Sequence, residues 1–262
     1  MLRRVPYFTC FLFLATYCYS TSLRIDLGRE IQNATAVERA AGVNRVSNQH
    51  SINGLVAEKY ASQLTDPQLT NVTINWTEPK ILRSGTKLNI NEEIVSKNTL
   101  TVLLNEMGQD NPSVKTLEIE SDVGPFFPGF NISLLFERFP KINTFSTHTS
   151  IHDFEPFKKL KELKCLKINA FEMERIADSP IFSHIEELEF YGFVNDGDWK
   201  DLLKNFSKSQ HLKNLRTLKF GGTILSPDQI SSLQENPSFK HVTIFCGSRR
   251  GPNDKVHPPV AK

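Results

Sequence analysis

The sequence predicts an α/β fold: a solenoid of stacked strand-and-helix units with a parallel β-sheet on its concave face and helices on its convex face, preceded by an irregular N-terminal cap. Three observations lead there. An apolar residue followed by others at +3 and +5 recurs through the second half of the chain, in Val114/Leu117/Ile119, Ile142/Phe145/Thr147, Leu163/Leu166/Ile168, Ile185/Leu188/Phe190, Leu215/Leu218/Phe220 and Phe239/Val242/Ile244. Successive units start about 28, 21, 22, 30 and 24 residues apart, the spacing of repeats that each contribute one strand and one return segment. The stretches between them carry helix signals. Neither half of such a unit buries its apolar side alone, so stacking is what makes it stable.

The first element along the chain is a targeting segment. Met1-Leu2-Arg3-Arg4 is a basic start, Val5 to Tyr19 is largely apolar, and Cys18-Tyr19-Ser20 sets small side chains around a larger one, so residues 1–20 read as a secretory signal cut after Ser20. The apolar run of about 15 residues is shorter than the roughly 20 a helix needs to cross a bilayer, so no stable membrane span is expected after cleavage. A retained anchor and a buried N-terminal element are the other readings of the same run. Residues 21–80 read as the cap or an arm: Ala36-Val-Glu-Arg-Ala-Ala starts a helix, Asn53-Gly54 signals a turn, Leu55 to Leu64 has helical spacing, and Val72/Ile74/Trp76 alternate as a strand does.

The solenoid is expected over residues 81–247. A faint first unit sits at Leu88-Asn-Ile90, with a helical stretch from Thr99 to Met107 after it. Ile132 to Phe139 and Phe171 to Ile181 are short helices, and Asp198 to Phe206 places Trp199, Leu202, Leu203 and Phe206 on one helical face. Ser226-Pro-Asp-Gln229 is the sharpest helix start, with Ser at the N-cap, Pro at the first helical position and Gln placed to close a capping box. Many of the 19 Phe fall in the units, and burying one such ring is worth roughly 1.5–3 kcal/mol. Residues 248–262, with Arg249, Arg250, Lys255, Pro258 and Pro259 and few apolar side chains, read as a disordered tail. An ordinary α/β domain with βα alternation shares the local pattern.

Composition narrows the partners. Loss of Arg3 and Arg4 with the signal takes Lys+Arg from 31 to 29 against 29 Asp+Glu, so the mature chain is neutral and no nucleic-acid binding is expected. Cleavage also removes Cys10 and Cys18, leaving Cys165 and Cys246, which the strand order sets too far apart for a disulfide. Stability must therefore come from the core. Glycan acceptor motifs follow the signal at Asn33, Asn71, Asn75, Asn131 and Asn205, whereas Asn111-Pro and Asn236-Pro are blocked.

Leu163-Lys-Cys-Leu166-Lys-Ile168 and Leu215-Arg-Thr-Leu218-Lys-Phe220-Gly-Gly-Thr223-Ile-Leu225 resemble the LxxLxLxx(N/C/T)xL core of leucine-rich repeat proteins, in the longer strand-and-helix variety of ribonuclease-inhibitor-like and F-box-associated members. The resemblance spans roughly residues 85 to 247. Where the family prefers Asn or Cys this chain has Asp122, Ser150, Phe171, Phe193, Thr223 and Gly247, so the family's buried Asn ladder is largely missing. Cysteine-rich caps are missing as well.

Because strand side chains alternate across a sheet, positions +2, +4 and +6 of each unit share the concave face. The middle row reads Glu118, Ser146, Lys167, Glu189, Lys219 and Thr243. One flanking row reads Glu120, His148, Asn169, Tyr191, Gly221 and Phe245; the other reads Thr116, Thr144, Cys165, Glu187, Thr217 and His241. The candidate partner-binding residues are Glu118, His148, Lys167, Glu189, Tyr191, Lys219 and Phe245. Cross-strand pairing of Lys167, Glu189 and Lys219 is the alternative use of the same charges.

No catalytic set is expected. Cys165 and His148 fall on adjacent strands but roughly 13 Å apart, beyond the reach of a nucleophile and its base. His148 and His152 have helical metal-pair spacing on a strand and a loop, with no third ligand nearby, so no metal site and no cofactor are expected. The expected function is a secreted, extracellular, non-enzymatic module that binds a protein or peptide partner. An intracellular substrate-recognition module resembling F-box-associated repeat proteins is the alternative.

Overall fold

The computed structural model describes residues 21–27, 29–31, 33, 49–76, 99–121, 132–192, 202–221, 225–247 and 255–257. The predicted signal segment, the helix start at Ala36, the faint unit at Leu88, the acceptor Asn131, Trp199 and most of the tail lie outside these residues. Nine strands form one sheet in strict chain order. They are β1 (Thr21–Asp26), β2 (Leu69–Trp76), β3 (Thr116–Ser121), β4 (Thr144–Thr147), β5 (Cys165–Asn169), β6 (Glu187–Tyr191), β7 (Thr217–Gly221), β8 (Thr243–Gly247) and β9 (Lys255–His257). Strands β1 to β8 are parallel, and β9 closes the end antiparallel to β8. The fold is therefore α/β, with a return segment between each pair of parallel neighbours.

The register explains the periodic apolar residues. Leu23, Val72, Leu117, Phe145, Leu166, Leu188, Leu218 and Ile244 stand opposite one another across eight strands. All but Leu23, which packs at its edge, are fully buried. The units that enter at β4, β5, β6 and β7 do so in one way: the carbonyl just before a strand accepts two amides of the next unit. Lys115 O takes the Asn143 and Thr144 N–H groups, Asn143 O those of Lys164 and Cys165, Lys164 O those of Glu186 and Glu187, and Glu186 O those of Arg216 and Thr217. This repeated hydrogen bond locks the register that the apolar pattern selects.

The return segments differ in form but bury the same side. The helix Gln49–Leu64 precedes β2, a helix over residues 99–106 precedes β3, and Ile132–Arg138 precedes β4. A short 3-10 segment, Glu155–Lys159, precedes β5. Ahead of β8, the helix Pro227–Glu235 carries the expected capping box: Ser226 Oγ accepts the Gln229 N–H at 3.2 Å, and Gln229 Oε1 accepts the Ser226 N–H at 2.7 Å. Aromatic rings fill the space between sheet and returns. Phe157 meets Phe136, Phe145, Phe154 and Phe182 edge-on at centroid distances of 4.9, 5.6, 5.9 and 5.4 Å, and Phe206 bridges Phe190 and Phe239 at 5.5 and 5.3 Å.

Polar side chains staple one return to the next. Asn111 Nδ2 donates to the carbonyls of Leu64 and Asp66, both at 2.8 Å, while its Oδ1 accepts the Ser113 N–H at 3.0 Å. Asn236 repeats the arrangement: Nδ2 donates to the Ser207 and Ser209 carbonyls and Oδ1 accepts the Ser238 N–H at 2.8 Å. Both open an Asn-Pro-Ser tripeptide, Asn111-Pro112-Ser113 and Asn236-Pro237-Ser238. Buried Glu172 accepts the Ile151 N–H at 3.1 Å and pairs with Arg175 at 2.5 Å, tying the loop after β4.

Four expectations need correction. Within residues 21–80, β2 contains the expected strand at Val72, Ile74 and Trp76, but it and the unexpected β1, whose Leu23 and Ile25 alternate with Arg24 and Asp26, extend the same sheet in place of an irregular cap. Asn53-Gly54 is not a turn. It lies inside the helix Gln49–Leu64, where burial of Val56, Ala57, Tyr60 and Leu64 outweighs a glycine cost of about 1 kcal/mol. The tail contributes a strand, β9, which pairs with the exposed backbone edge of β8. In the last unit the strand starts two residues later than the apolar spacing implies: Ile244, not Val242, stands opposite Leu218. The 3-10 turn Pro237–Phe239 shifts the apolar triplet there.

Candidate binding face

Alternation along each strand leaves a second face, opposite the core, whose rows follow from the same register. The middle row runs Arg24, Thr73, Glu118, Ser146, Lys167, Glu189, Lys219, Phe245. Phe245 thus replaces Thr243 in the row read from the sequence, and Thr243 falls beside Thr217. His241 precedes the strand. All seven candidate residues lie on this polar face, and all are half-buried.

Its side chains reach across strands. Tyr191 crosses β5: its ring lies 4.5 Å from that of His148, and its hydroxyl is 3.3 Å from Ser146 Oγ. Burial raises the Tyr191 phenol well above its usual range, with the Ser146 contact acting the other way and Glu189 and Glu118 adding to the rise. Tyr191 is therefore a neutral platform. Asn169, on the intervening strand β5, is buried, its Oδ1 accepting the Phe171 N–H at 3.0 Å. Gly221 leaves room beside Tyr191, where an added Cβ would stand 3.3 Å from the ring.

The charges form separate pairs. Lys167 meets Glu189 at 3.8 Å, while Lys219 turns to Glu187 at 2.6 Å and lies 6.0 Å from the centre of the Phe245 ring. Burial opposes the charge on Glu187, yet the Lys219 hydrogen bond and charge hold its carboxyl below the usual range. Burial likewise opposes the charge on Lys219, and Glu187 outweighs it, so the amine sits above its usual value. Burial and Glu187 push the Cys165 thiol up to about 12. A protonated thiol is a poor nucleophile and a poor metal ligand. Cys246 is buried on the core side, and both cysteines are free.

The sequence reading missed Arg24, which leaves β1 to meet Glu120 of β3 at 2.6 Å. Its signal was present in the alternation of Leu23, Ile25 and Leu27 with Arg24 and Asp26. Of the glycan acceptors, Asn33 and Asn205 are exposed, with Asn205 donating to Glu174 at 2.6 Å, whereas Asn71 and Asn75 lie half-buried on β2. Among the described residues, no helix is long and apolar enough to cross a membrane. No family model, curated protein or solved structure matches this chain.

Proposed function

We propose that this chain is a secreted, non-enzymatic binding protein, built as a leucine-rich-repeat-like solenoid, that takes a protein or peptide partner on the polar, concave face of its sheet. The observation that carries the reading is the continuous row Lys167, Glu189, Lys219, Phe245, flanked by Tyr191 and His148. It sets charged groups around three rings on and beside strands that are hydrogen-bonded to neighbours on both sides. Side chains held this way lose little further freedom on binding, and aromatic anchors among charges are the composition of interface hot spots. The raised pKa of Cys165 favours recognition over thiol chemistry.

The test is co-purification from the secreted fraction by the wild-type protein and by Lys219→Glu. A partner held by the first and lost by the second supports the reading; equal retention by both overturns this face as the binding surface. The two free thiols favour a second reading, an intracellular recognition module in a reducing compartment. Protein from its native host that keeps its mass on enzymatic glycan removal would select that one.

A further inference from the structure

We infer that N-glycans on Asn71 and Asn75 cover the polar face over β1 to β3 and confine the partner to the part of the face that runs from His148 and Tyr191 to β8. The inference rests on the secretory reading above. The acceptor motifs Asn71-Val72-Thr73 and Asn75-Trp76-Thr77 begin four residues apart, an even step along one strand, so Asn71, Thr73 and Asn75 share a face. The register fixes which face it is. Asn71 stands opposite Thr116, Thr73 opposite Glu118 and Asn75 opposite Glu120, the positions that continue into Ser146 and Lys167. Buried Val72 and Ile74 occupy the other side. In the bare chain Asn71 Nδ2, the atom that would carry the glycan, donates to Ser22 Oγ and Thr70 Oγ1 at 3.3 Å, and attachment leaves it one N–H for these two acceptors.

Strands in a sheet lie about 4.8 Å apart, so Glu118 is one step of about 5 Å from the glycan-bearing strand and Ser146 about 10 Å. A branched oligosaccharide is bulky enough to shade Glu118. Lys167 lies about 14 Å away and Phe245 about 29 Å. Two candidate positions therefore exclude each other in use: a glycan on β2 and a protein partner at Glu118 cannot occupy the same space. The surface left bare holds Lys167, Glu187, Glu189, Tyr191, Lys219 and Phe245, two ion pairs around two rings.

The experiment needs only the native sequence, secreted from a glycosylating host. Peptide mapping reads occupancy at each acceptor, and carbodiimide footprinting reads the carboxylates before and after enzymatic glycan removal. Both Asn71 and Asn75 are expected to be occupied, and Glu118 labelling is expected to rise several-fold on glycan removal while Glu189 stays unchanged. Occupancy at Asn33 or Asn205 with Asn71 and Asn75 bare overturns the shielding and leaves the secretory reading standing. Bare asparagines at all five acceptors overturn both. Equal labelling changes at Glu118 and Glu189 overturn the division of the face.

Discussion

The two faces of one sheet obey the same register and carry opposite kinds of information. On the core face, eight strands in succession present Leu, Val, Phe or Ile at one level. On the polar face the next level reads Arg, Thr, Glu, Ser, Lys, Glu, Lys, Phe, changing in charge or polarity at every step. Close packing constrains volume and polarity at every inward position, because a void or a charge there costs several kcal/mol. Outward positions carry no such constraint. The difference teaches where to look for recognition: the face whose chemistry changes from strand to strand while its backbone stays fixed.

The comparison breaks most visibly at Leu218, which is fully buried between Leu188 and Ile244. Leu218→Glu is expected to unfold the central units, since an uncompensated charge in the core costs more than about 4 kcal/mol. Circular dichroism melting would show loss of the cooperative transition. One position further on, Lys219→Gln is expected to leave that transition nearly in place. A Leu218→Glu protein that melts like the wild type would remove the distinction between the faces.

A middle-sized effect tests the staples that join the units. Asn236→Ala deletes two amide hydrogen bonds to part-buried carbonyls and the acceptor for Ser238, and is expected to cost about 1–3 kcal/mol. For a chain of this size that lowers the melting temperature by about 2–4 °C per kcal/mol. Asn111→Ala is expected to cost a similar amount, because its contacts have the same form. Unequal losses would show that the two Asn-Pro-Ser segments are alike in geometry and not in energy.

How much of this was legible in sequence follows from which interactions are periodic. The strands β3 to β7 and the helix Pro227–Glu235 were readable, since buried side chains at fixed spacing and a Ser-Pro-Asp-Gln start are local signals. The start of β8 was not, because Val242 is buried like Ile244 and the turn Pro237–Phe239 moves the frame by two residues. β1 has no preceding apolar residue at the −3 position, so it escapes a search for that triplet although its alternation is plain. In sequence Asn111 and Asn236 are only glycan motifs blocked by proline; their amides point at carbonyls distant in sequence, which nothing local announces. On the polar face, parity alone placed Glu118, Lys167, Glu189 and Lys219. Whether Lys219 turns to Glu189 beside it or Glu187 diagonally is a rotamer choice invisible to spacing.

That rotamer choice supplies the smallest test. Lys219 and Glu187 are each about a third exposed, 34% and 32%, so their pair is worth at most about 1 kcal/mol. Glu187 has its pKa lowered by folding, so its contribution is present above the unfolded carboxylate range and disappears as pH falls through the folded value. Lys219 has its pKa raised, so its contribution is present below the unfolded amine value and disappears as pH rises through the folded one. The pair is therefore constant around neutrality and weakens at both extremes. Glu187→Gln is expected to flatten the acid limb of the stability curve relative to wild type while lowering neutral-pH stability by less than about 1 kcal/mol. It is also expected to ease ionisation of the Cys165 thiol, because it removes the carboxylate that, after burial, raises that pKa most. Thiol labelling that speeds up in Glu187→Gln at alkaline pH would place both groups on one electrostatic circuit; an unchanged rate would show burial alone keeping the thiol protonated.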